Sequence, residues 1–295
     1  MPENNVTTNN RIYGSIYGLV IGDAMGMPVE FKERDSFPEV TEFLPKHHWN
    51  LDPGSWTDDT SMTLALMDSI TKCLGINPED QLNRYVKWYM NGKYSVNGKC
   101  FDIGNLTRMS LRNYIATHAI ESPYYGNEFS GNGSLMRHAP VPLFMYQFKD
   151  ATLVEHASDV TSATTHSSKA CLEYCRTYSK IIFEILQGTD KSVFEQRYQA
   201  LMSLPRDSVR SSGFVGDTFA AAMWSFLNTD SIMSCIIKAV NLGDDADTVG
   251  AVAGSIAGAY YGETNIPLEP LYAIKKQLRV SEYLTAFNVV CHKFI

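Results

Sequence analysis

The chain has 295 residues, with 25 Lys+Arg against 32 Asp+Glu, a formal net charge of −7, 44% hydrophobic and 19% charged residues. These proportions describe a globular protein long enough to bury one large core. The acidic balance, without a run of cations, excludes non-specific nucleic-acid or membrane-surface binding and leaves small molecules or proteins as the expected partners.

In chain order, residues 1–10 (MPENNVTTNN) are polar and aperiodic and are expected to form a disordered tail, with residues 11–295 as a single domain. The start of the chain lacks a basic segment leading into an apolar one, and the six cysteines are scattered without a CxxC. This pattern predicts reduced thiols and a cytoplasmic location. Apolar residues recur at helical spacing in Met62, Leu66, Ile70 and Cys73, in Cys171, Cys175, Tyr178, Ile182 and Ile185, and in Ile232, Ile236 and Val240. No paired period-2 runs signal a hairpin, so the fold is expected to be all-α. Cys171 and Cys175, one helical turn apart, read as buried thiols and not as a disulfide or zinc ligands. The stretch from Val249 to Tyr261 is too short to cross a bilayer. Three Gly-, Pro- and Asn-rich segments, 91–105, 122–133 and 205–216, read as long loops suited to a site.

Two segments place a glycine at every fourth residue: Gly14, Gly18, Gly22 and Gly26, then Gly250, Gly254, Gly258 and Gly262. Each glycine in a helix interior costs about 1 kcal/mol relative to alanine. A side-chain-free ridge that lets two helix backbones approach would offset that cost, so both rows are expected in central helices that bring the chain ends together.

The residues with chemistry cluster at helix boundaries. Gly54–Thr60 (GSWTDDT) runs into the apolar helix MTLALM, and Gly243–Ala251 (GDDADTVGA) opens another. Either could be a plain helix start, because Thr and Asp cap helices and carboxylates suit the first turn. Two such clusters instead suggest one shared site. Close carboxylates repel by about 4 kcal/mol per pair at intermediate dielectric, so a site holding them all must raise their pKa values or bind cations. The ligands on offer are all oxygens, which favours hard ions over zinc or copper. An EF-hand fails on spacing, since a loop starting at Asp245 puts Ile256 where the bidentate Glu belongs. Gly22–Phe31 (GDAMGMPVEF) places Asp23 and Glu30 near the end of the first glycine helix. Gly131–His138 (GNGSLMRH) reads as a Gly-rich turn leading into a helix, either an Asn-Gly turn or a cradle for an anion.

GDAMGMPVEF, GSWTDDTSM, FDIGN, GNGSLMRHAP, HSSKA, GFVGDTFAA and GDDADTVGAVAGSIAGAYYG occur in the order and approximate spacing of the ADP-ribosylglycohydrolase family. The chain resembles its dinitrogenase-reductase-activating glycohydrolase branch, and the match covers residues 11–262. The resemblance implies a single-domain, multi-helix all-α fold with two divalent cations, Mg²⁺ or Mn²⁺, and removal of ADP-ribose from modified side chains. By motif, Thr57, Asp58 and Asp59 would bind metal from one side, and Asp245, Asp247 and Thr248 from the other. Glu30 and Asp102 would be the catalytic carboxylates, one acting as acid and the other as base. Gly131, Asn132, Gly133 and Ser134 would cradle the diphosphate, with His166 nearby and Phe214 where relatives often carry Tyr.

Plainer readings stand beside three of these: Asp102 as a turn residue, His166 as a capping or core histidine, and Phe214 as a core aromatic. His47 and His48 carry no motif. The implied reaction is hydrolysis of the N-glycosidic bond to arginine. The alternatives are O-linked serine conjugates, other ADP-ribose derivatives including modified nucleic acid, and a non-catalytic ADP-ribose-binding or structural relative.

Overall fold

The first helix, α1 (Thr8–Gly26), starts where Thr7 caps it, the Thr7 hydroxyl accepting the Asn10 N–H at 3.3 Å. Residues 8–10 are therefore helical, not part of a disordered tail. A first turn of polar residues conceals a helix whose apolar face begins at Ile12. The computed structural model describes residues 6–46 and 49–294, so His47 and His48, unassigned from sequence, lie outside the described residues.

The chain continues through α2 (Asp58–Cys73), α3 (Pro78–Asn91), α4 (Asn105–Thr117), α5 (Pro140–Met145), α6 (Ala151–Ala163) and α7 (Lys169–Leu186). It then forms α8 (Lys191–Arg197), α9 (Gln199–Met202), α10 (Val215–Leu227), α11 (Ile232–Val240), α12 (Ala246–Tyr261), α13 (Leu268–Ala273) and α14 (Gln277–Val290). Among the described residues the fold is all-α, with two isolated β-bridges, Lys46 to Leu51 and Gly131 to Phe214. All six cysteines are free, and Cys171 and Cys175 are buried on α7.

The glycine rows make the centre of the molecule. Gly14, Gly18 and Gly22 of α1 face Gly258, Gly254 and Gly250 of α12 in antiparallel order. A Cβ on Gly18 would lie 2.1 Å from the Gly254 carbonyl oxygen, and one on Gly22 would lie 2.0 Å from that of Gly250. Any side chain there would force the backbones apart. Gly26 meets the backbone of Ala246 and Asp247 in the same way, so the end of α1 lies against the start of α12. Gly262 does not extend the ridge. It ends α12 at φ +83, a conformation glycine adopts at little cost.

Around this pair the buried apolar residues form one cluster, to which Met62 and Leu66 of α2, Ile182 of α7, Phe226 of α10 and Ile236 of α11 contribute. α11 packs on α12, and α2 meets both central helices near the end where α1 stops and α12 begins. The polar residues of the two aspartate motifs are thereby carried to one place at the edge of an apolar core.

Candidate active site

Asp23 organises the first half of the site. It is fully buried near the C-terminal end of α1, and its carboxylate accepts the Thr57 N–H at 2.9 Å and the Thr60 N–H at 3.0 Å. It also accepts the hydroxyl protons of Thr57 at 2.9 Å and Thr60 at 2.6 Å. Thr57 occupies the N-cap position of α2 but makes no side-chain cap bond of its own. A carboxylate from another helix thus takes the Thr60 N–H in the first turn of α2 together with the N–H of its N-cap residue, Thr57. Asp58 and Asp59 are released from capping and turn into the site. α12 behaves similarly, since Asp245 sits at its N-cap without capping it, and Asp247 accepts its neighbour's N–H, from Thr248, at 2.9 Å.

The two motifs meet. The Thr57 hydroxyl lies 3.4 Å from both Asp59 Oδ2 and Asp247 Oδ2, and the Thr248 hydroxyl lies 3.5 Å from Asp59 Oδ2. Glu30, which follows a short 3₁₀ turn (Met27–Val29) at the end of α1, joins Asp102 and Asp247 in a group whose nearest ligand oxygens all lie within 4.8 Å of one another. Asp102 is a turn residue at φ +60, and it also aims its carboxylate into this group. Lys46 forms an ion pair with Glu30 at 2.6 Å and lies 3.9 Å from the Trp49 ring centroid, and Trp49 packs edge-on against Phe101.

Burial dominates the electrostatics. It pushes Asp23 up to about 6 against the hydrogen bonds from the backbone N–H and hydroxyl groups of Thr57 and Thr60, which hold it down in part. Burial, followed by the Glu30 charge, pushes Asp102 up to about 9. Asp58, Asp59 and Asp247 are raised well above the ordinary carboxylate range by burial and then by the charge of neighbouring carboxylates, first Asp102 for Asp58, Asp23 for Asp59 and Glu30 for Asp247, and Asp245 is raised by burial. Glu30 is raised by burial while Lys46 opposes the shift. Asp59 Oδ1 is buried without a protein hydrogen-bond partner. An orphaned carboxylate oxygen, inside an oxygen-only cluster that is reluctant to ionise, fits a hard divalent cation.

The second half of the site is the turn at Gly131–Gly133. The Gly131–Phe214 bridge and the Val215 N–H bond to the Ser130 carbonyl (3.0 Å) tie it to the start of α10. Asn132 Nδ2 donates to Asp245 Oδ2 at 2.9 Å and to the Thr218 hydroxyl at 2.8 Å, fixing the turn beside the carboxylates. His166 lies beneath it, buried, and a Cβ on Gly133 would come within 2.8 Å of its ring.

Several expectations change here. The segment after the turn is not helical until Pro140 starts α5. The Asn132 carbonyl takes the N–H groups of both Leu135 and Met136, and the Arg137 guanidinium takes the Gly133 carbonyl that a continuing helix would use. Ser134 does not offer its hydroxyl to the turn. That group is buried among the Ser162 hydroxyl (2.8 Å) and Cys175 Sγ (3.4 Å). Phe214 is not a core aromatic, being 43% exposed beside the turn at the N-cap of α10. Asp23 as a cap and Lys46 as the Glu30 partner were not assigned from sequence. Asp23 carried a signal in its motif, whereas Lys46 is a lone lysine in a loop.

An all-α fold that gathers an oxygen-only acidic cluster between the N-termini of two helices, next to a glycine turn, defines a site suited to a cation and an anionic ligand together. The family model for ADP-ribosylglycohydrolase matches residues 4–290, and the chain belongs to that family. It is 37% identical to ADP-ribosylarginine hydrolase Tri1 of Serratia proteamaculans (strain 568), over 92% of this chain and 77% of the relative. It is 29% identical to the ADP-ribosyl-(dinitrogen reductase) glycohydrolase of Rhodospirillum rubrum, over 88% of this chain and 89% of that one. A solved structure described as an ADP-ribosylglycohydrolase-related protein complex superposes with a TM-score of 0.80 at 30% identity, covering 100% of this chain and 99% of its own.

Proposed function

We propose that this single-domain chain hydrolyses the N-glycosidic bond between ADP-ribose and an arginine side chain of a modified protein, with two divalent cations, Mg²⁺ or Mn²⁺, as cofactors. The observation that carries the reading is the convergence of Glu30, Asp102 and Asp247 beside Thr57 and Asp59. The relatives named as an ADP-ribosylarginine hydrolase and an ADP-ribosyl-(dinitrogen reductase) glycohydrolase support the substrate class.

Thr57, Asp58 and Asp59 would hold the cations from the α2 side, and Asp245, Asp247 and Thr248 from the α12 side. When bound, the cations supply Lewis acidity and a fixed point for the vicinal hydroxyls of a ribose. The protein does the rest. Gly131, Asn132, the backbone of Gly133 and Ser134, and His166 seat the diphosphate, while exposed Phe214 offers a ring face at the rim. Asp23 keeps the start of α2 rigid, which orients the sugar for attack.

Glu30 and Asp102 divide the proton work. Lys46, 2.6 Å from Glu30, favours the carboxylate and suits Glu30 to accept a proton from water. Asp102, whose burial beside Glu30 favours the protonated carboxyl, is the acid that gives a proton to the departing nitrogen. Placing unlike proton affinities within one cluster separates base from acid.

No described helix is long and apolar enough to cross a membrane. The free cysteines are in keeping with a reducing cytoplasm, and the acidic balance with a protein substrate in preference to a nucleic acid. The deciding assay measures ADP-ribose released from an arginine-ADP-ribosylated protein with Mg²⁺ or Mn²⁺ and with EDTA, beside a serine-linked substrate. Cation-dependent release from arginine is expected. Release from serine alone would reassign the linkage, and binding without release would make the chain a reader.

A further inference from the structure

We propose that Arg137 acts through Thr165 as a positioning residue, fixing the His166 imidazole as its Nε2–H tautomer so that a neutral hydrogen-bond donor faces the anion seated on the Gly131–Gly133 turn. The anion's identity as a diphosphate rests on the function proposed above. The relay itself rests on geometry.

Arg137 is fully buried, and among the described residues no carboxylate pairs with it. Its guanidinium lies 4.6 Å from the Tyr85 ring centroid, and its Nη1 donates to the Gly133 carbonyl at 2.5 Å. Its Nη2 donates to the Thr165 hydroxyl oxygen at 2.7 Å. A guanidinium carries donors and no acceptor, so the Thr165 oxygen can only accept from it. The Thr165 proton must go elsewhere, and the other partner of that buried hydroxyl is His166 Nδ1 at 2.8 Å. A proton on Nδ1 would leave the Thr165 hydroxyl with no acceptor in the interior. The imidazole is therefore an acceptor at Nδ1 and carries its proton on Nε2.

Nε2 is the end of the ring that matters for the turn. A Cβ on Gly133 would lie 3.0 Å from it and one on Gly131 would lie 3.7 Å away, so two glycines leave the space over it clear. Nε2 has no hydrogen-bond partner among the described residues. A second effect runs through Gly133. Drawing its carbonyl inward to Arg137 turns the planar peptide so that the Ser134 N–H points the opposite way. A buried cation without a counter-charge, a fixed imidazole donor and a turned peptide all favour an anion on the turn.

The test uses the full chain with Mg²⁺ and ¹⁵N-histidine labelling. His166→Gln assigns the signal, and Thr165→Val and Thr165→Ser are compared with the parent. Long-range ¹⁵N–¹H spectra of the ligand-free protein are expected to show His166 protonated on Nε2. In Thr165→Val, which keeps the shape and removes the hydroxyl, the tautomers mix and the ADP-ribose dissociation constant rises about tenfold, the scale of one hydrogen bond to a charged group. Thr165→Ser restores both. An Nδ1–H tautomer in the parent, or a Thr165→Val protein with unchanged tautomer and affinity, would overturn the relay and leave Arg137 a packing residue. If the parent binds no ADP-ribose by calorimetry, the diphosphate reading fails, and the ligand-free spectra still decide the relay.

Discussion

Gly22 and Gly250 approach so closely that a Cβ on the first would lie 2.0 Å from the carbonyl oxygen of the second. The obstacle is backbone, so no rotamer change can relieve it. Gly22→Ala is expected to cost about 3 kcal/mol or more, beyond the usual range for overpacking, and to lower Tm by several degrees. The same change would move Asp23, the next residue, away from Thr57 and Thr60. Thermal unfolding and activity of Gly22→Ala are expected to fall together, whereas Gly75→Ala, where an added Cβ meets nothing within 4 Å, leaves both in place.

Asp23 links the central helices to the chemistry. Asp23→Asn retains the shape but replaces an acceptor-only carboxylate, bonded at 2.6 Å to the Thr60 hydroxyl, with a weaker neutral acceptor. The expected outcome is a loss of about 1–3 kcal/mol in stability and weaker cation binding, because Asp58 and Asp59 lose their fixed helix start. Calorimetric titration with Mn²⁺ measures the second effect apart from the first.

Cation-free protein has a pH dependence with a definite sign. The Asp102 carboxyl is raised from 3.8 to about 9, and Asp23 from 3.8 to about 6. Between the unfolded and folded values the native state binds more protons than the unfolded state, so stability is greatest below about pH 4 and is lost as pH rises through the folded values. For these groups, in the absence of cation, Tm is expected to fall from about pH 4 toward pH 9, with the Asp23 part lost first. Saturating Mg²⁺ or Mn²⁺ stabilises the carboxylate forms and flattens the slope. Differential scanning calorimetry across that range, with cation and with EDTA, checks it.

Lys46 lies 2.6 Å from Glu30, and both side chains are largely buried. Lys46→Met keeps the aliphatic stem and removes the charge that favours the Glu30 carboxylate. The Glu30 pKa then rises further, so the acid limb of the kcat/KM profile moves to higher pH, and activity at neutral pH falls about tenfold. An unshifted acid limb would remove Glu30 from the role of base.

Much of this site could be read in the sequence because its parts repeat locally. Glycines at every fourth residue in two segments require a close helix pair, and two Asp-rich helix starts point to a shared cluster. What could not be read depends on contacts distant in the chain. Asp23 caps α2 across 34 positions, although capping residues normally precede the helix they serve. Lys46 finds Glu30 by the course of a loop that has no periodicity. At residues 131–138, Arg137 takes a carbonyl from its own would-be helix and the Ser134 hydroxyl meets that of Ser162, choices that glycine spacing does not encode. The exposure of Phe214 follows from its place at the start of α10, beside the Gly131 turn, and its apolar character gave no sign of it.

The central claim is that the starts of α2 and α12 jointly hold cations. Anomalous diffraction from crystals grown with Mn²⁺ tests it directly. Two peaks about 4 Å apart, between Thr57, Asp58 and Asp59 on one side and Asp245, Asp247 and Thr248 on the other, are expected. No peak at this cluster under saturating Mn²⁺, with ADP-ribose release undiminished by EDTA, would contradict it.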